Sequence, residues 1–461
     1  MTEKIYDVIV LGGGAGGVPA AVRAAQLGGK VAVIEQENFG GLCMNKGCIP
    51  FGHMMTASNI VGSLSLGRNM GINLSQISID YEMLVRRQDE LIDFMRKGVV
   101  GTLVKNGIDR IEGKGRISGK GTINVNDNTV GFKKLILATG GEWIMPDFPN
   151  SALDDVVNTN YLLEARVLPK NVLLFGRVPW LIEIAQFLNR FGCKVILATQ
   201  DKSLLSDESK AISSRLRKSL KNSGIGIRND TEIVNLTKNK DGLEVGLKSK
   251  ESVEKVFVEK IITAERGAAL KGLGLENVQL DEGDDFIRVN EKMETRISGI
   301  YAIGDITEKQ SRHYSHLASE EGIIAAENSM GGKSLIDKRT FTRILYTQPE
   351  VACIGLTAKE AKAAGYDIYV GAAPLSMNPY GMILSENEGI IEIVADKKYG
   401  EILGVHLIGA TASEMAGQAI LAIRMEMTLE ELAKTSFPHP TLSESLAEAA
   451  RDALGVPIYL P

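Results

Sequence analysis

The 461-residue chain has few cysteines and no excess of either charge, and each of these features excludes a class of protein. Four cysteines are too few to stabilise a secreted chain of this length, so a reducing cytoplasm is the expected location. Two of them, Cys193 and Cys353, stand in apolar, strand-like contexts and are interpreted as small buried hydrophobic residues. The 52 basic and 57 acidic residues nearly balance, so the charge predicts neither a nucleic-acid nor a membrane partner.

Long hydrophobic runs are missing as well. No run approaches the roughly 18 apolar residues that a membrane-spanning helix needs. The first apolar run, residues 5–11, is interrupted by Asp7 and ends in glycines, so we expect no signal peptide. The 49 glycines and the low aromatic content favour an α/β architecture over an all-β one, and the length predicts about three domains of about 150 residues.

The start of the chain carries a dinucleotide-binding pattern. A short apolar strand leads into the glycines of residues 12–17, and a helix and a second strand that ends in Glu35 follow. In this context Gly12 allows a tight turn, Gly14 lets the backbone approach a pyrophosphate, and Gly17 lets the helix and the strand pack closely. The helix N-terminus then faces the phosphates, and Glu35 accepts hydrogen bonds from the ribose hydroxyls.

Directly after this unit, Cys43 and Cys48 stand five residues apart, behind a double glycine that ends in Gly41. Five steps of regular helix cover about 7.5 Å, more than a disulfide spans between its Cα atoms, so the two can bond only across a distorted turn. Pro50 is tolerated in a first helical turn, so a helix is predicted to begin near Cys48, where its dipole favours a thiolate. The pattern favours a redox dithiol. The alternatives are two inert cysteines or half of a metal site, but no second Cys or His pair stands at zinc spacing and no metal site is predicted.

A dinucleotide pattern followed by this cysteine pair resembles the pyridine nucleotide–disulfide oxidoreductases, which are FAD enzymes. Two further segments extend the resemblance: residues 135–140 are similar to the strand that crosses back under the FAD, and residues 295–305 are similar to the second FAD motif. The resemblance implies an FAD site that includes, besides the N-terminal glycines and Glu35, the residues Gly41, Gly115, Thr139, Gly140, Gly304, Asp305 and His316. It also implies two Rossmann-like FAD/NAD(P)-type domains and a C-terminal α+β dimerisation domain, with bounds 1–150 plus 270–336, 151–269 and 337–461.

The second βαβ unit, which corresponds to the family's NAD(P) domain, has a damaged glycine loop that reads Gly176-Arg177-Val178-Pro179-Trp180-Leu181. Val178 places a β-branched side chain where the backbone would approach a pyrophosphate, and Pro179 removes an N–H group that would bind it. Leu181 stands where the helix and the strand would meet without a side chain. The next strand ends in Thr199-Gln200, with neither an acid for the NAD ribose nor an arginine pair for the NADP phosphate. We therefore predict that NAD(P) binding is lost or severely weakened; binding in an altered pose is the alternative.

Further departures from the family lie around the dithiol. The family continues Cys-Ile-Pro-Ser-Lys, and its lysine reaches the flavin and pairs with a glutamate; this chain has Phe51-Gly52 there, with Glu183 at the place of the glutamate. Leu42 replaces a threonine before the first cysteine. Residues 263–268 replace a Gly-Arg-Arg-Pro-like segment. These changes alter the charge on the side of the flavin where a nicotinamide would react.

From Phe341 onward the chain resembles the family's dimerisation domain, and residues 437–444 resemble its dihydrolipoamide dehydrogenase branch. There an imidazole, here His439, takes a proton from a thiol, and a carboxylate, here Glu444, orients it, with Pro440 supplying the turn between them. A purely structural histidine is the alternative. Because the family's histidine reaches the disulfide of the other subunit, a homodimer is implied.

The retained motifs predict an FAD-dependent dithiol–disulfide oxidoreductase that acts on a small dithiol or a lipoyl-bearing protein. Cys43, expected to be the more exposed cysteine, would form the mixed disulfide, and Cys48 would be the thiolate beside the FAD. A ferredoxin, a flavodoxin or a quinone would replace NAD(P) as electron carrier. Two alternatives stay open: an ordinary NAD-dependent dihydrolipoyl dehydrogenase, and a flavin-carrying subunit that serves assembly rather than turnover.

Overall fold

The computed structural model describes residues 4–73, 77–151, 153–250, 252–280, 285–307 and 314–461. Its α-helices are α1 Gly17–Gln26, α2 Gly41–Lys46, α3 Cys48–Asn69, α4 Tyr81–Lys105, α5 Asn160–Glu164, α6 Trp180–Arg190, α7 Lys210–Asn222, α8 Ser315–Ser329, α9 Ala358–Ala363, α10 Pro379–Ile383, α11 Ala412–Arg424, α12 Leu429–Lys434 and α13 Glu444–Ala453. No helix in the described part of the chain is long and apolar enough to cross a membrane.

The β-strands are shorter and more numerous. They are β1 Ile5–Leu11, β2 Val31–Glu35, β3 Asp109–Glu112, β4 Gly115–Gly119, β5 Thr122–Val125, β6 Asn128–Leu137, β7 Gly141–Trp143, β8 Val156–Asn158, β9 Asn171–Phe175, β10 Lys194–Ala198, β11 Gly226–Arg228, β12 Thr231–Asn239, β13 Gly242–Ser249, β14 Ser252–Val258, β15 Lys260–Thr263, β16 Arg266–Ala268, β17 Ile300–Ala302, β18 Thr342–Leu345, β19 Glu350–Gly355, β20 Ile368–Pro374, β21 Ile390–Asp396 and β22 Ile402–Gly409.

The chain folds into two compact units. Unit 1 consists of Met1–His53, Tyr81–Ile144 and Glu265–Ile336, and unit 2 consists of Met54–Asp80, Met145–Ala264 and Asp337–Pro461. The sequence predicts three domains rather than two units, and the three domain boundaries stay a prediction.

Unit 1 is built on a sheet with the strand order β3-β2-β1-β6-β5-β4, in which β17 also pairs with β6. β1 lies between β2 and β6 and is parallel to both. Its residues are buried from Val8 to Leu11, as expected for a parallel strand that is covered on both faces. Ile9 packs into the core on one face of the sheet, whereas Val8 and Val10 pack against Ala20 of α1 on the other. This packing holds the glycine turn between β1 and α1 at the carboxyl end of the central strands.

Unit 2 contains two larger sheets of different kinds. One is parallel, with the order β11-β10-β9-β15-β8, and the short antiparallel sheet β12-β13-β14 accompanies it. The other is antiparallel, with the order β18-β19-β22-β21-β20, and its apolar face packs against α11, α12 and α13. Two parallel βαβ sheets and one α+β sheet form the α/β architecture that the sequence predicts. The predicted strands and helices of both βαβ units agree with the observed ones to within about three residues at each end.

Candidate functional site

The glycine turn between β1 and α1 is packed so tightly that side chains cannot enter it. Gly12 has φ +111°, and a Cβ atom at Gly17 would lie 1.9 Å from the carbonyl oxygen of Gly12. Gly41 comes similarly near to the turn, since a Cβ atom there would lie 2.6 Å from the Cα of Gly14. No side chain in the described residues caps the N-terminus of α1, so this end of the helix can bind an anion.

Glu35 stands at the end of β2, next to this turn. Its carboxylate accepts hydrogen bonds from the N–H groups of Gly13, at 2.7 Å, and Glu37, at 2.9 Å. The acid predicted to bind the ribose therefore also fixes the glycine turn. Gly115 on β4 is required by packing: a Cβ atom there would lie 2.5 Å from Cδ1 of Leu11.

The ends of β6 and β17 bring the other predicted FAD residues into unit 1. Thr139 donates a hydrogen bond from its hydroxyl to the carbonyl oxygen of Ala269, at 2.9 Å, and Gly140 follows with φ +71°. Gly304 has φ +70° and donates its N–H to the buried carboxylate of Glu321 at 2.7 Å. In α8, the ring of His316 lies 5.5 Å from the ring of Tyr314, measured between centroids.

Arg266 on β16 is a site residue that the sequence analysis did not single out. Its Nη1 lies 3.3 Å from Oδ2 of Asp305, the predicted ribitol-binding carboxylate, and its guanidinium lies 5.9 Å from the centroid of the Trp143 ring. The side chain is 8% exposed, and its buried Nε has no hydrogen-bond partner among the described residues. A buried donor without an acceptor is costly. The neighbouring carboxylate of Asp305 can accept hydrogen bonds from hydroxyl groups. Together with the buried Nε–H donor of Arg266, it fits a ligand rich in oxygen and nitrogen atoms, such as FAD.

The two cysteines lie on either side of a break between helices. Cys43 is inside α2, Cys48 begins α3, and Gly47 separates the helices with φ −134° and ψ −116°, which agrees with the predicted distorted turn. Both cysteines are free thiols in this structure. In the protein chain alone, Cys43, inside α2, is half-buried and Cys48, the first residue of α3, is exposed. The predicted order of exposure places FAD beside Cys48, and it stays a prediction.

The charges around the pair make Cys48 the thiolate and Cys43 the thiol. The pKa of Cys48 is lowered to about 6 although desolvation of its sulfur opposes this, and the hydrogen bond from Cys43 is the largest cause. Smaller contributions to the same lowering come from Ser315, whose Oγ lies 3.3 Å from the Cys48 sulfur, from the backbone at the start of α3 and from the charge of Arg266. The same hydrogen bond and burial raise the pKa of Cys43 far above its ordinary value. The roles predicted for the two cysteines stay a prediction.

His439 and Glu444 form the predicted pair at the start of α13. Nδ1 of His439 lies 3.0 Å from Oε1 of Glu444, and the imidazole is 65% exposed. The second carboxylate oxygen accepts the N–H of Thr441 at 3.0 Å, which fixes the carboxylate. An oriented, exposed imidazole can exchange protons with an incoming thiol. This pair belongs to unit 2, whereas the cysteines and the predicted FAD residues belong to unit 1.

The loop that corresponds to the NAD(P) glycine motif lies between β9 and α6. The N–H groups of Leu181 and Ile182 donate to the carbonyl oxygens of Val178 and Pro179, at 3.1 and 2.9 Å, and Pro179 has no N–H group. The first turn of α6 thus uses donors that a phosphate would need. Leu181 is 1% exposed, so its side chain fills the place where a glycine would allow close packing.

Glu183 and Gln186 on α6 hold a neighbouring loop of unit 2. The buried carboxylate of Glu183 accepts the N–H of Tyr346 at 3.0 Å. The amide of Gln186 accepts the N–H of Gln348 at 2.7 Å and donates to its carbonyl oxygen at 2.8 Å. Glu183 therefore has a structural hydrogen bond in place of the lysine partner that the family supplies.

Cys353 is buried as predicted, but its surroundings are polar, which corrects its interpretation as a hydrophobic residue. It pairs across the sheet with Arg343 on β18 and His406 on β22. A ligand atom from each of Glu208, Cys353 and His406 lies within 4.8 Å of the others. The guanidinium of Arg343 donates two hydrogen bonds to the carboxylate of Glu208, one of 2.8 Å from Nη2 and a shorter one from Nε. Cys193 is buried, as predicted.

Two sequence profiles of one protein family match most of the chain. The sequence profile described as pyridine nucleotide-disulphide oxidoreductase matches residues 6–322, and the profile of that family's dimerisation domain matches residues 341–450. The chain is 37% identical to a dihydrolipoyl dehydrogenase of Thermus scotoductus, over 97% of each chain, and 34% identical to one of Bacillus subtilis, over 98% of this chain and 99% of the other.

Solved structures share the fold at lower identity. LpdA from Mycobacterium tuberculosis superposes with a TM-score of 0.87 at 23% identity, over 97% of this chain and 99% of that chain. The HOCl-induced flavoprotein disulfide reductase RclA from Escherichia coli superposes with a TM-score of 0.85 at 23% identity, over 96% and 99%.

Proposed function

The chain belongs to the pyridine nucleotide-disulphide oxidoreductase family, and we propose that it exchanges electrons with a lipoyl-type dithiol through Cys43 and Cys48 without using NAD(P). Family membership makes it an FAD-dependent dithiol–disulfide oxidoreductase, and its dimerisation domain supports a homodimer. The observation that carries the proposed roles is the position of Cys48 at the start of α3, with its sulfur 3.3 Å from the hydroxyl of Ser315. A helix N-terminus and a hydroxyl donor favour the thiolate at this sulfur, and a thiol beside a stable thiolate is what a reduced exchange pair needs.

FAD would be held by the glycine turn and Glu35 at its adenosine end and by Asp305 at its ribitol. When bound, FAD supplies a two-electron partner for the dithiol. The cradle around Gly12 and Gly17 has no space for side chains, and Arg266 offers a buried N–H next to Asp305. Both features are what a tightly held dinucleotide requires.

In the oxidising direction, His439 takes a proton from the first substrate thiol while Glu444 holds the imidazole in place. The substrate thiolate attacks the sulfur of Cys43, the Cys43–Cys48 bond breaks, and Cys48 leaves as a thiolate. Attack on Cys43 rather than on Cys48 follows from the low pKa of Cys48, which makes it the better leaving group.

The second substrate thiol then attacks its partner sulfur in the mixed disulfide, and Cys43 leaves and takes that thiol's proton. The substrate ends as a disulfide, and its two electrons are held by the Cys43 thiol and the Cys48 thiolate. Of the two protons released, one is on Cys43 and the other is on His439. By the family resemblance, His439 acts on the cysteines of the partner subunit.

The altered loop before α6 supports a different electron carrier. A nicotinamide dinucleotide needs free backbone N–H groups and a glycine at the helix start, whereas Pro179 and Leu181 remove both. Glu183 is engaged with the backbone of Tyr346. A ferredoxin, a flavodoxin or a quinone is therefore the proposed partner.

The test is an anaerobic titration of the purified holoenzyme with dihydrolipoamide, NADH and NADPH in parallel, followed by flavin absorbance. We expect dihydrolipoamide to produce the long-wavelength absorbance of a thiolate next to oxidised flavin, and we expect neither nicotinamide to react. Cys43→Ser is the matched control and should not respond to the dithiol. Bleaching by NADH would refute the altered electron route and make the protein an ordinary dihydrolipoyl dehydrogenase. A wild type that behaves like Cys43→Ser would refute the dithiol chemistry and favour a subunit without turnover.

A further inference from the structure

The hydroxyl of Ser315 lies 3.3 Å from the sulfur of Cys48, although the two residues are 267 positions apart in the chain. Ser315 is the first residue of α8, and no side chain in the described residues caps that helix at Tyr314. Cys48 is itself the first residue of α3. The N-termini of two long helices therefore meet at one sulfur, and each contributes a partial positive charge.

The direction of the hydrogen bond follows from the ionisation of the cysteine. A thiolate has no proton to give, so the hydroxyl of Ser315 donates and the sulfur accepts. Hydrogen bonds to a charged acceptor are the stronger kind and favour the charged form. The other groups that act on this sulfur are the thiol of Cys43 and the guanidinium of Arg266, which is itself paired with Asp305.

The residue at position 52 helps to explain why the Cys48 thiolate depends on a donor such as Ser315. Gly52 lies one helical turn after Cys48 in α3, and a Cβ atom there would meet nothing within 4 Å. The start of α3 thus carries no cationic side chain between Cys48 and Gly52 that could balance a thiolate. Besides the backbone at the start of α3, the described groups of unit 1 that stabilise the charge are side chains of α2, β16 and α8.

We propose that Ser315 is a determinant of the dithiol's chemistry: its hydroxyl donates to Cys48 and holds that sulfur as the thiolate. This inference rests on the proposed role of Cys43 and Cys48 as the redox pair. Because Ser315 stabilises the reduced, ionised form, it also makes the disulfide easier to reduce. Removal of the hydroxyl raises the pKa of the Cys48 thiol and shifts the reduction potential of the pair to more negative values.

The expected size follows from the general strength of such bonds. A hydrogen bond to a charged acceptor shifts a pKa by about one unit or somewhat more. Above about pH 8, where Cys48 is ionised with or without the bond, a tenfold loss of thiolate stability lowers the two-electron potential by about 30 mV. Below about pH 5 the sulfur is protonated in both proteins, and the potentials should converge.

The experiment compares Ser315→Ala with Ser315→Thr in the reduced holoenzyme, and a second pair, Ser315→Val against Ser315→Thr, differs only by the hydroxyl. The long-wavelength absorbance of the Cys48 thiolate next to oxidised flavin is measured from pH 4.5 to 9.5 after two-electron reduction, and the potential is measured at pH 8.5 and 5. We expect the midpoint to rise by about one unit in Ser315→Ala and Ser315→Val and to stay at the wild-type value in Ser315→Thr. Ser319→Ala, one turn further along α8, is the matched control and should not shift the midpoint.

Equal midpoints in wild type and both hydroxyl-free variants would overturn the inference. That result is distinguishable from a failure of the proposed function, because the absorbance after chemical reduction measures the ionisation of Cys48 whether or not a dithiol substrate reacts. If the protein does not react with dihydrolipoamide but the hydroxyl-free variants shift the midpoint of Cys48, the hydrogen bond from Ser315 is supported and the proposed catalytic role is refuted.

Discussion

The thiol of Cys43 makes the largest single contribution to the ionisation of Cys48, and its removal gives a sharp prediction. The structure lowers the pKa of Cys48 to about 6 from an ordinary value of 9.0. At pH 7.5, a cysteine with this pKa is about 97% ionised, whereas an ordinary one is about 3% ionised. In the reduced protein, the long-wavelength absorbance of this thiolate next to oxidised flavin should therefore be almost fully developed at pH 7.5.

Cys43→Ala removes the S–H donor, and Cys43→Ser replaces it with an O–H donor. We expect the midpoint of this absorbance to rise by about one to two pH units in the alanine variant and to remain near the wild-type value in the serine variant. The assay is the pH dependence of the long-wavelength absorbance, with flavin content measured to confirm that each variant keeps its cofactor. A wild-type midpoint above pH 8, or an alanine variant that titrates like the wild type, would show that the Cys43 thiol does not govern the pair.

Three further predictions concern other parts of the chain. Gly17→Ala forces a Cβ atom against the carbonyl oxygen of Gly12 and should yield protein without bound FAD, measured as the ratio of flavin to protein absorbance; a normal ratio would contradict the packing argument. His439→Gln should slow flavin reduction by dihydrolipoamide by about 10²- to 10⁴-fold in stopped-flow measurements and leave the resting spectrum unchanged, and an unchanged rate would favour a structural histidine. Arg343→Met should lower the free energy of unfolding at pH 7 by about 3 kcal/mol, because the buried carboxylate of Glu208 loses its partner. Burial would raise the pKa of Glu208, but the hydrogen bonds and charge of Arg343 outweigh burial, and the net pKa is lowered. The stabilisation by this ion pair is therefore present above about pH 4.5 and is lost as the pH falls through the folded-state pKa of Glu208. Urea denaturation of both proteins at pH 7 and pH 4 should show the difference shrinking in acid, and a constant difference would refute the charge argument.

The local features of the site were predictable because they follow from short-range rules. The tight turn at Gly12 and Gly17 and the break between Cys43 and Cys48 depend on neighbours within a few residues, and glycine spacing and helix geometry specify them. The altered loop at Pro179 was also predictable from the sequence, because the missing N–H group is a property of proline itself.

Contacts between distant segments were not predictable in the same way. Ser315 and Arg266 reach Cys48 from parts of the chain more than two hundred positions away, and nothing in their own neighbourhoods indicates a sulfur. The polar surroundings of Cys353 depend on strand register, which aligns it with Arg343 and His406 from two other strands. Each strand alone carries one such residue and looks apolar.

The different burial of the four cysteines has a practical consequence for quantification. Burial raises the pKa of Cys193 to about 12 and that of Cys353 well above its ordinary value, so neither thiol is nucleophilic at neutral pH. A thiol reagent added to the native protein should therefore leave Cys193 and Cys353 unmodified. The pKa of Cys43 is also raised far above its ordinary value, so a native count does not give both thiols of the redox pair. After denaturation without a reductant, the expected count is four thiols for a fully reduced subunit and two for an oxidised one, which gives the oxidation state of a preparation without reference to its colour.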